Sequence, residues 1–273
     1  MGKQDGETSG TGGNLRHGAR VRKLSTDQFR ERLLDIMDRK HHWAWPHFSG
    51  NTISKDQLKI HFRQEYAAYV RDFPVLLARI HGKNPPPEVR SVLAANIYEE
   101  ETGGLSLGRS HPDLFLTMMR GLGYDLTDFH NVELFPASRS YRRWLDTVSL
   151  KRDWVVGAAV LTIFVEGSLN DRQEILNPSP PKTPAEIEDA VKKHPLFLYH
   201  GLSLQYMDLT RAHLMVESGH RHDAYDMVLK HAIEPQQQHA VIDCLREALK
   251  HWLRFRDGIA RACGLRKTDR LAP

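Results

Sequence analysis

The stretch His213-Leu-Met-Val-Glu-Ser-Gly-His220 sits inside a long segment of helical character. At about 100° per residue, Glu217 lies roughly 40° from His213 and His220 roughly 20° from it on the other side. All three side chains therefore leave one narrow face of one helix. Two imidazoles and a carboxylate on one face form a donor set suited to iron or a similar transition metal. The chain has 16 His, so close spacings also arise by chance. The reading therefore depends on what stands elsewhere in the chain.

Working outward, the segments on both sides are helical. Ser25-Thr-Asp-Gln28 and Ser54-Lys-Asp-Gln57 are capping boxes, each of which starts a helix by satisfying free backbone N–H groups. The first helix is expected to run to about His41. The second should reach about Ile80, with Pro74 kinking it or tightening a turn. Pro85-Pro86-Pro87 is a break. Further helices are expected over about 88–101, 112–122, from Ser138, and over about 152–174. After the proline loop at 177–184 come helices over 184–193, 196–219, 221–232 and 234–263. Strand-type alternation is nearly absent, so the chain reads as an all-α bundle. Residues 1–22, rich in Gly, Ser, Thr and charge, read as a disordered tail. Residues 23–266 read as a single helical domain and 267–273 as a C-terminal tail.

The bulk numbers bound the function. Over 273 residues the formal charge is +4, with 40% hydrophobic and 26% charged residues. The basic residues are spread along the chain, so nucleic-acid binding is not indicated. The local cluster Arg16, Arg20, Arg22 and Lys23 reads as a solvated tail. No apolar run approaches a membrane span, since Val155 to Val165 is too short and meets Glu166. The N-terminus lacks a signal-peptide core. The two cysteines, Cys244 and Cys263, form no metal-type pattern. A cytoplasmic protein is expected.

Other donors stand in helical surroundings. Glu166 closes the most apolar run of the chain, where it either snorkels at a helix end or faces a metal. Glu99, Glu100 and Glu101 run straight into Gly103-Gly104, with His111-Pro112 ten residues after Glu101. Taken alone, three consecutive Glu read as a solvated helix end.

The order Gln64-Glu-Tyr66, Tyr69-Val-Arg-Asp-Phe-Pro74, Asn96-Ile-Tyr-Glu-Glu-Glu-Thr-Gly-Gly104, His111-Pro-Asp-Leu-Phe115 and Leu122-Gly123 resembles the haem-oxygenase-like diiron oxidases. Their superfamily also holds thiaminase-II-like proteins and pyrroloquinoline-quinone synthase. The resemblance covers about residues 25–260 and implies a haem-oxygenase-like bundle of about seven to nine helices. It implies a metal-ligand set of Glu101, His111, Glu166, His213, Glu217 and His220. Glu100 or Glu99 replaces Glu101 if the helix is wound differently near Gly103. Some members add a carboxylate from an earlier helix, for which Glu65 and Asp72 are nearest here. The residue that is Asp in most members is the longer Glu217.

The resemblance further implies two Fe(II) ions, or a mixed Mn/Fe pair, with O2 as co-substrate. The reaction would be N-oxygenation, desaturation or oxidative C–C cleavage of a small carboxylate-bearing molecule such as an amino acid or fatty acid, often in natural-product biosynthesis. A homodimer is also implied. For substrate binding, Tyr98, Tyr206 and Arg211 stand near the ligand helices in sequence; Tyr66, Tyr69, Tyr199 and Arg71 are further candidates. His194, His200, His222, His231 and His239 read as surface or capping groups. Two other readings stay open: a metal-free enzyme of the same superfamily using His and Tyr as acids and bases, and a non-enzymatic helical protein that binds a partner helix.

Overall fold

The computed structural model describes residues 22–267, with the side chains of Glu217 and Ser218 outside the description. The tails expected over 1–22 and 267–273 therefore fall almost wholly outside the described residues. Every described element is helical. In chain order these are α1 (Thr26–Met37), α2 (Trp45–Phe48), α3 (Lys55–Ala68), α4 (Phe73–His81), α5 (Pro87–Thr102), α6 (His111–Gly121) and α7 (Thr127–His130). They continue with α8 (Pro136–Lys151), α9 (Trp154–Ala158), α10 (Asp171–Leu176), α11 (Pro184–Lys192), α12 (Pro195–His200), α13 (Asp208–His231) and α14 (Pro235–Ala262). The helices outnumber the seven to nine expected, because short segments replace several single long ones.

Both expected capping boxes are present: the Ser25 and Ser54 hydroxyls accept from the amides of Gln28 and Gln57. The long helix expected from Ser54 to Ile80 is broken rather than kinked. Tyr69, at φ −152, closes α3, and a 3₁₀ turn over Val70–Asp72 follows. Pro74 stands in the first turn of α4, where its missing N–H costs nothing. The helix expected over 152–174 also divides. α9 passes into a π-helical stretch, Ala159–Val165, which ends at Glu166. In the last third, Gly201 adopts φ +70 and closes α12, so the helix expected from 196 starts again only at Asp208. Gly219 does not interrupt α13, which continues to His231.

α14, the longest element, packs against α8, α1, α9 and the π stretch. α13 packs across the π stretch and against α6. One apolar core runs through α1, α3, α4, α8, the π stretch and α14, with Phe29, Leu33, Leu77, Tyr141, Phe164, Leu245 and Phe255 fully covered. Among the described residues no helix is long and apolar enough to cross a membrane.

Candidate metal centre

Four elements deliver the donor side chains to one cavity of about 400 Å³: the C-terminal end of α5, the start of α6, the end of the π stretch and the middle of α13. Glu100, His111, Glu166, His213 and His220 all line it. Aromatic and aliphatic side chains, among them Phe62, Phe73, Phe115, Met118 and Leu209, form the remaining wall.

The α5 contribution follows from helical phase. Val89, Leu93 and Asn96 are buried, and Glu99 and Glu100 follow Asn96 by three and four residues on the same face. Glu101 is a further 100° round and is exposed. It does not line the cavity. Glu100, which the sequence left open as the alternative to Glu101, is the one that lines it.

Gly103 then turns the chain back. It caps α5 at φ +62, and a Cβ there would lie 2.2 Å from the Arg109 carbonyl oxygen, so only glycine fits. Glu99, 0% exposed, holds the returning loop through the Leu105 amide at 2.7 Å and through the Ser106 hydroxyl. These donors and His111 together hold the Glu99 carboxyl below its usual range, against the upward pull of burial.

His111, on α6, stands between the two carboxylates. Its Nε2 lies 3.1 Å from Glu99 Oε1, and its Nδ1 lies 3.0 Å from Glu100 Oε1. The two contacts differ in kind. Nε2 has hydrogen-bond geometry to Glu99. Nδ1 is buried and faces Glu100 as an ion-pair contact. With Nε2–H donated to Glu99, deprotonation of Nδ1 leaves its lone pair on the Glu100 side. This is the carboxylate–histidine arrangement that orients metal-bound imidazoles. Burial pulls the His111 pKa down, but Glu100 and Glu99 outweigh it and raise it above the ordinary value.

The His213 ring lies 5.0 Å from that of His111, centroid to centroid. Burial, reinforced by His111, pulls the His213 pKa down to about 4. Burial lowers that of His220 as well. Both imidazoles are therefore neutral near pH 7, the form that ligates metals.

Glu166 emerges where the π stretch ends. Its amide donates to Leu161, five residues back, at 3.3 Å. Such π segments are frequent at functional sites. Two side chains fix this corner. Asn96 Nδ2 donates to Glu166 Oε1 at 2.7 Å. Lys40 Nζ donates to the carbonyls of Phe164, Val165 and Gly167 at 2.5, 3.2 and 2.6 Å, capping the helix end on either side of Glu166.

Glu217, the remaining expected ligand, has its side chain outside the described residues. Among the described residues no three His, Cys, Asp or Glu groups stand close enough to hold an ion as placed. The chemistry of the set nevertheless fits one: the imidazoles of His111, His213 and His220 and the carboxylates of Glu100 and Glu166 face a single cavity.

The two possible extra carboxylates part company. Glu65 lines the cavity but is engaged by Arg256 at 2.7 Å, His61 at 3.0 Å and Tyr69 at 2.5 Å. Arg256 and His61 outweigh burial and hold its carboxyl well below the usual range. Asp72 pairs with Arg71 and Arg142 outside the cavity.

Of the substrate-binding candidates, Tyr69 lines the cavity, and Tyr98, Arg211 and Tyr206 lie elsewhere. Tyr98 is 52% exposed. Arg211 is bound to Glu188 at 2.6 Å and Asp208 at 3.0 Å. Tyr206 packs over Gly121. None of the three lines the cavity. Trp45, Tyr69, His194 and Arg221 do. Arg221 is itself paired with Asp171 at 3.1 Å and with Glu174. His194 has the capping role expected of it, accepting from the Leu196 amide at 3.2 Å. Arg256 was legible in the sequence, four residues after Trp252 and three before Ile259 on the apolar face of α14.

The family model described as "iron-containing redox enzyme" matches residues 60–253. No curated protein matches the chain. Among solved structures, it is similar to a TenA homologue from Pseudomonas syringae pv. tomato DC3000, with TM-score 0.65, 14% identity, and coverage of 87% of this chain and 96% of that one. It is also similar to a domain of unknown function with a haem-oxygenase-like fold from Shewanella denitrificans OS217, with TM-score 0.61, 16% identity, and coverage of 86% and 90%. At these identities the likeness is one of fold.

Proposed function

The chain belongs to the iron-containing redox enzyme family with the haem-oxygenase-like fold, and on that footing we propose that it is a nonhaem, O2-dependent diiron oxidase of a small carboxylate-bearing molecule. The observation that carries the reading is the His111 arrangement: Nε2 committed to Glu99, Nδ1 buried beside Glu100, with His213 next to it. Glu100, His111, Glu166, His213 and His220 would hold the metal, with Glu217 as the sixth donor. Two ferrous ions would supply the electrons that reduce O2.

The chain's own residues do the rest. Glu99 and Asn96 orient the ligands beside them. The aromatic wall keeps water from the cavity and gives an apolar substrate its surface. The lowered pKa values of His213 and His220 keep both imidazoles unprotonated, so metal uptake has to displace a proton only at His111.

The test is oxygen consumption by the iron-loaded protein with a panel of fatty and amino acids. Uptake of O2 that depends on one class of acid, and that falls at least about 100-fold in His213→Ala, is the expected result. Equal O2 uptake by wild type and variant would sink the reading.

A second reading is a metal-free enzyme resembling thiaminase-II-like proteins. It is favoured by the fold likeness to a TenA homologue and by the spacing of the donors, no three of which, among the described residues, converge as placed. In that case His111, held between two carboxylates, would act as an acid or base.

A further inference from the structure

A line of oxidisable rings joins the donor cavity to the surface between α8 and α14. Tyr69, which closes α3, lines the cavity. Its ring lies 6.2 Å from that of Tyr141 on α8, centroid to centroid. Tyr141 lies 6.3 Å from Trp144, one turn further along α8, with the two rings nearly parallel at 12°. Trp144 stacks at 5.0 Å on His251 of α14, and both are half-buried, so the line ends at solvent. Phe255 also touches Tyr141, at 5.2 Å, but a phenyl ring is not oxidised at potentials a protein reaches. Aromatic rings pack at such distances in any core. What sets this line apart is the difference between its inner end and its middle.

Tyr69 Oη donates to Glu65 Oε1 at 2.5 Å, and Arg256 and His61 hold that carboxylate in place. A phenol that loses an electron becomes a strong acid. The bond to Glu65 therefore gives the proton an acceptor as the electron leaves. Tyr141, 1% exposed, is placed differently. With Tyr69, Lys40 and Arg256 it lines a second cavity of about 370 Å³, and no Asp or Glu lines that cavity among the described residues. Two cations and no carboxylate at that cavity disfavour a charge that rests on Tyr141. Tyr141 thus relays an electron, and Tyr69 can hold the oxidised state.

We propose that Tyr69, Tyr141 and Trp144 form a one-electron path between the donor cavity and the surface. An oxidant in the cavity takes one electron from Tyr69 while the phenolic proton moves to Glu65. An electron then passes from Trp144 through Tyr141 to the Tyr69 radical, which takes its proton back from Glu65. The Trp144 radical cation is left at the surface, where a soluble reductant of the enediol class, such as ascorbate, restores it by giving up one electron. In sum one electron leaves the reductant and reaches the cavity, and no residue is consumed. The path rests on the proposed oxidase only for the source of the oxidant. It would spare the side chains of the cavity whenever no substrate is there to be oxidised.

The path is tested without metal and from its outer end, since a route for one electron conducts in either direction. Full-length Thr147→Cys carries a ruthenium polypyridyl photo-oxidant on its new thiol. Thr147 is exposed and one turn from Trp144, while Cys244 and Cys263 are buried and escape the label. A laser flash with an external electron acceptor generates the oxidant, and transient absorption and electron paramagnetic resonance follow the radicals. The expected result is a Trp144 radical that gives way to a tyrosyl radical. Adding Tyr69→Phe should remove the tyrosyl signal and lengthen the life of the Trp144 radical at least about 10-fold. Tyr141→Phe should slow the transfer and keep its endpoint. Tyr98→Phe, exposed and off the line, should change neither. Each phenylalanine keeps the ring in place, and circular dichroism verifies folding. Ascorbate should shorten the life of the Trp144 radical in the Tyr69→Phe background. No tyrosyl radical without Tyr69→Phe, the same yield and lifetime with it, or a Trp144 radical that ascorbate does not reach would each overturn the path. Iron uptake by wild type is measured alongside. Transfer without iron uptake keeps the path and removes the oxidase, and iron uptake without transfer does the reverse.

Discussion

Two buried groups of charge border the same cavity and are built in opposite ways. Around Arg256, one carboxylate is matched by one guanidinium, with His61 and Tyr69 taking the remaining lone pairs of Glu65. Around His111, two carboxylates converge on one imidazole, and a second imidazole stacks edge-on beside it. The first group balances itself. The second is acidic, and a divalent cation would balance it. Burial carries the same penalty in both places, so what separates a structural ion cluster from a ligand shell is the source of its positive charge.

The sharpest way to break that comparison is to remove the guanidinium. Arg256→Met should destabilise the protein by about 3–5 kcal/mol in urea unfolding, since Glu65 is left charged and buried. Adding Glu65→Gln should recover most of the loss. If the double variant is as unstable as the single one, the cluster is not self-balancing.

In the donor cavity the orienting residues should matter through iron rather than through stability. Asn96→Leu and Glu99→Gln should weaken Fe(II) binding by about 10- to 100-fold, as removal of partners behind the ligands usually does. Competition with a chromophoric chelator measures it. An unchanged affinity in both variants would mean that Glu166 and His111 do not need these partners.

Lys40 joins the two regions, because it lines the Arg256 cavity and caps the helix end that presents Glu166. Lys40→Met should cost about 1–3 kcal/mol through the orphaned carbonyls. Burial pulls the Lys40 pKa from 10.5 down to about 7. Between those values the unfolded chain holds a proton that the folded chain lacks, so this group's contribution to stability rises with pH from about 7 to about 10. Thermal melts across that range should show a smaller slope in Lys40→Met than in wild type. A slope equal to that of wild type would remove Lys40 as its source.

The smallest expected effect falls outside both regions. Burial pushes the Cys244 and Cys263 thiols up to about 11. Neither should be alkylated at pH 8 until the chain is unfolded, as thiol counting with and without denaturant would show. Rapid labelling of the native protein would show that one of them is open to solvent.

Much of the fold was legible in the sequence because the helix starts carry local chemistry. Ser25 and Ser54 cap where their boxes stand, and His111 and Glu166 reach the cavity from the elements expected to carry them. What was not legible depends on geometry that spacing does not encode. The choice among Glu99, Glu100 and Glu101 turns on the helical phase imposed by Val89, Leu93 and Asn96, and counting ten residues back from His111 selects the exposed one. The π stretch before Glu166 leaves no mark in an apolar run. Arg211 looked close to the ligand helix face, but it precedes His213 by two residues, about 200° round the helix, and Glu188 and Asp208 take it. Arg256, four residues after Trp252 on an apolar stripe, did leave a signal in the sequence.

The central claim, that an acidic cluster around His111 is a metal shell entered by Glu100, is tested most directly by anaerobic Fe(II) titration with metal analysis of wild type, Glu100→Gln and Glu101→Gln. The expected result is specific iron uptake by wild type and Glu101→Gln, and uptake weakened at least about 10-fold in Glu100→Gln. No specific uptake by wild type, or a loss confined to Glu101→Gln, would contradict it.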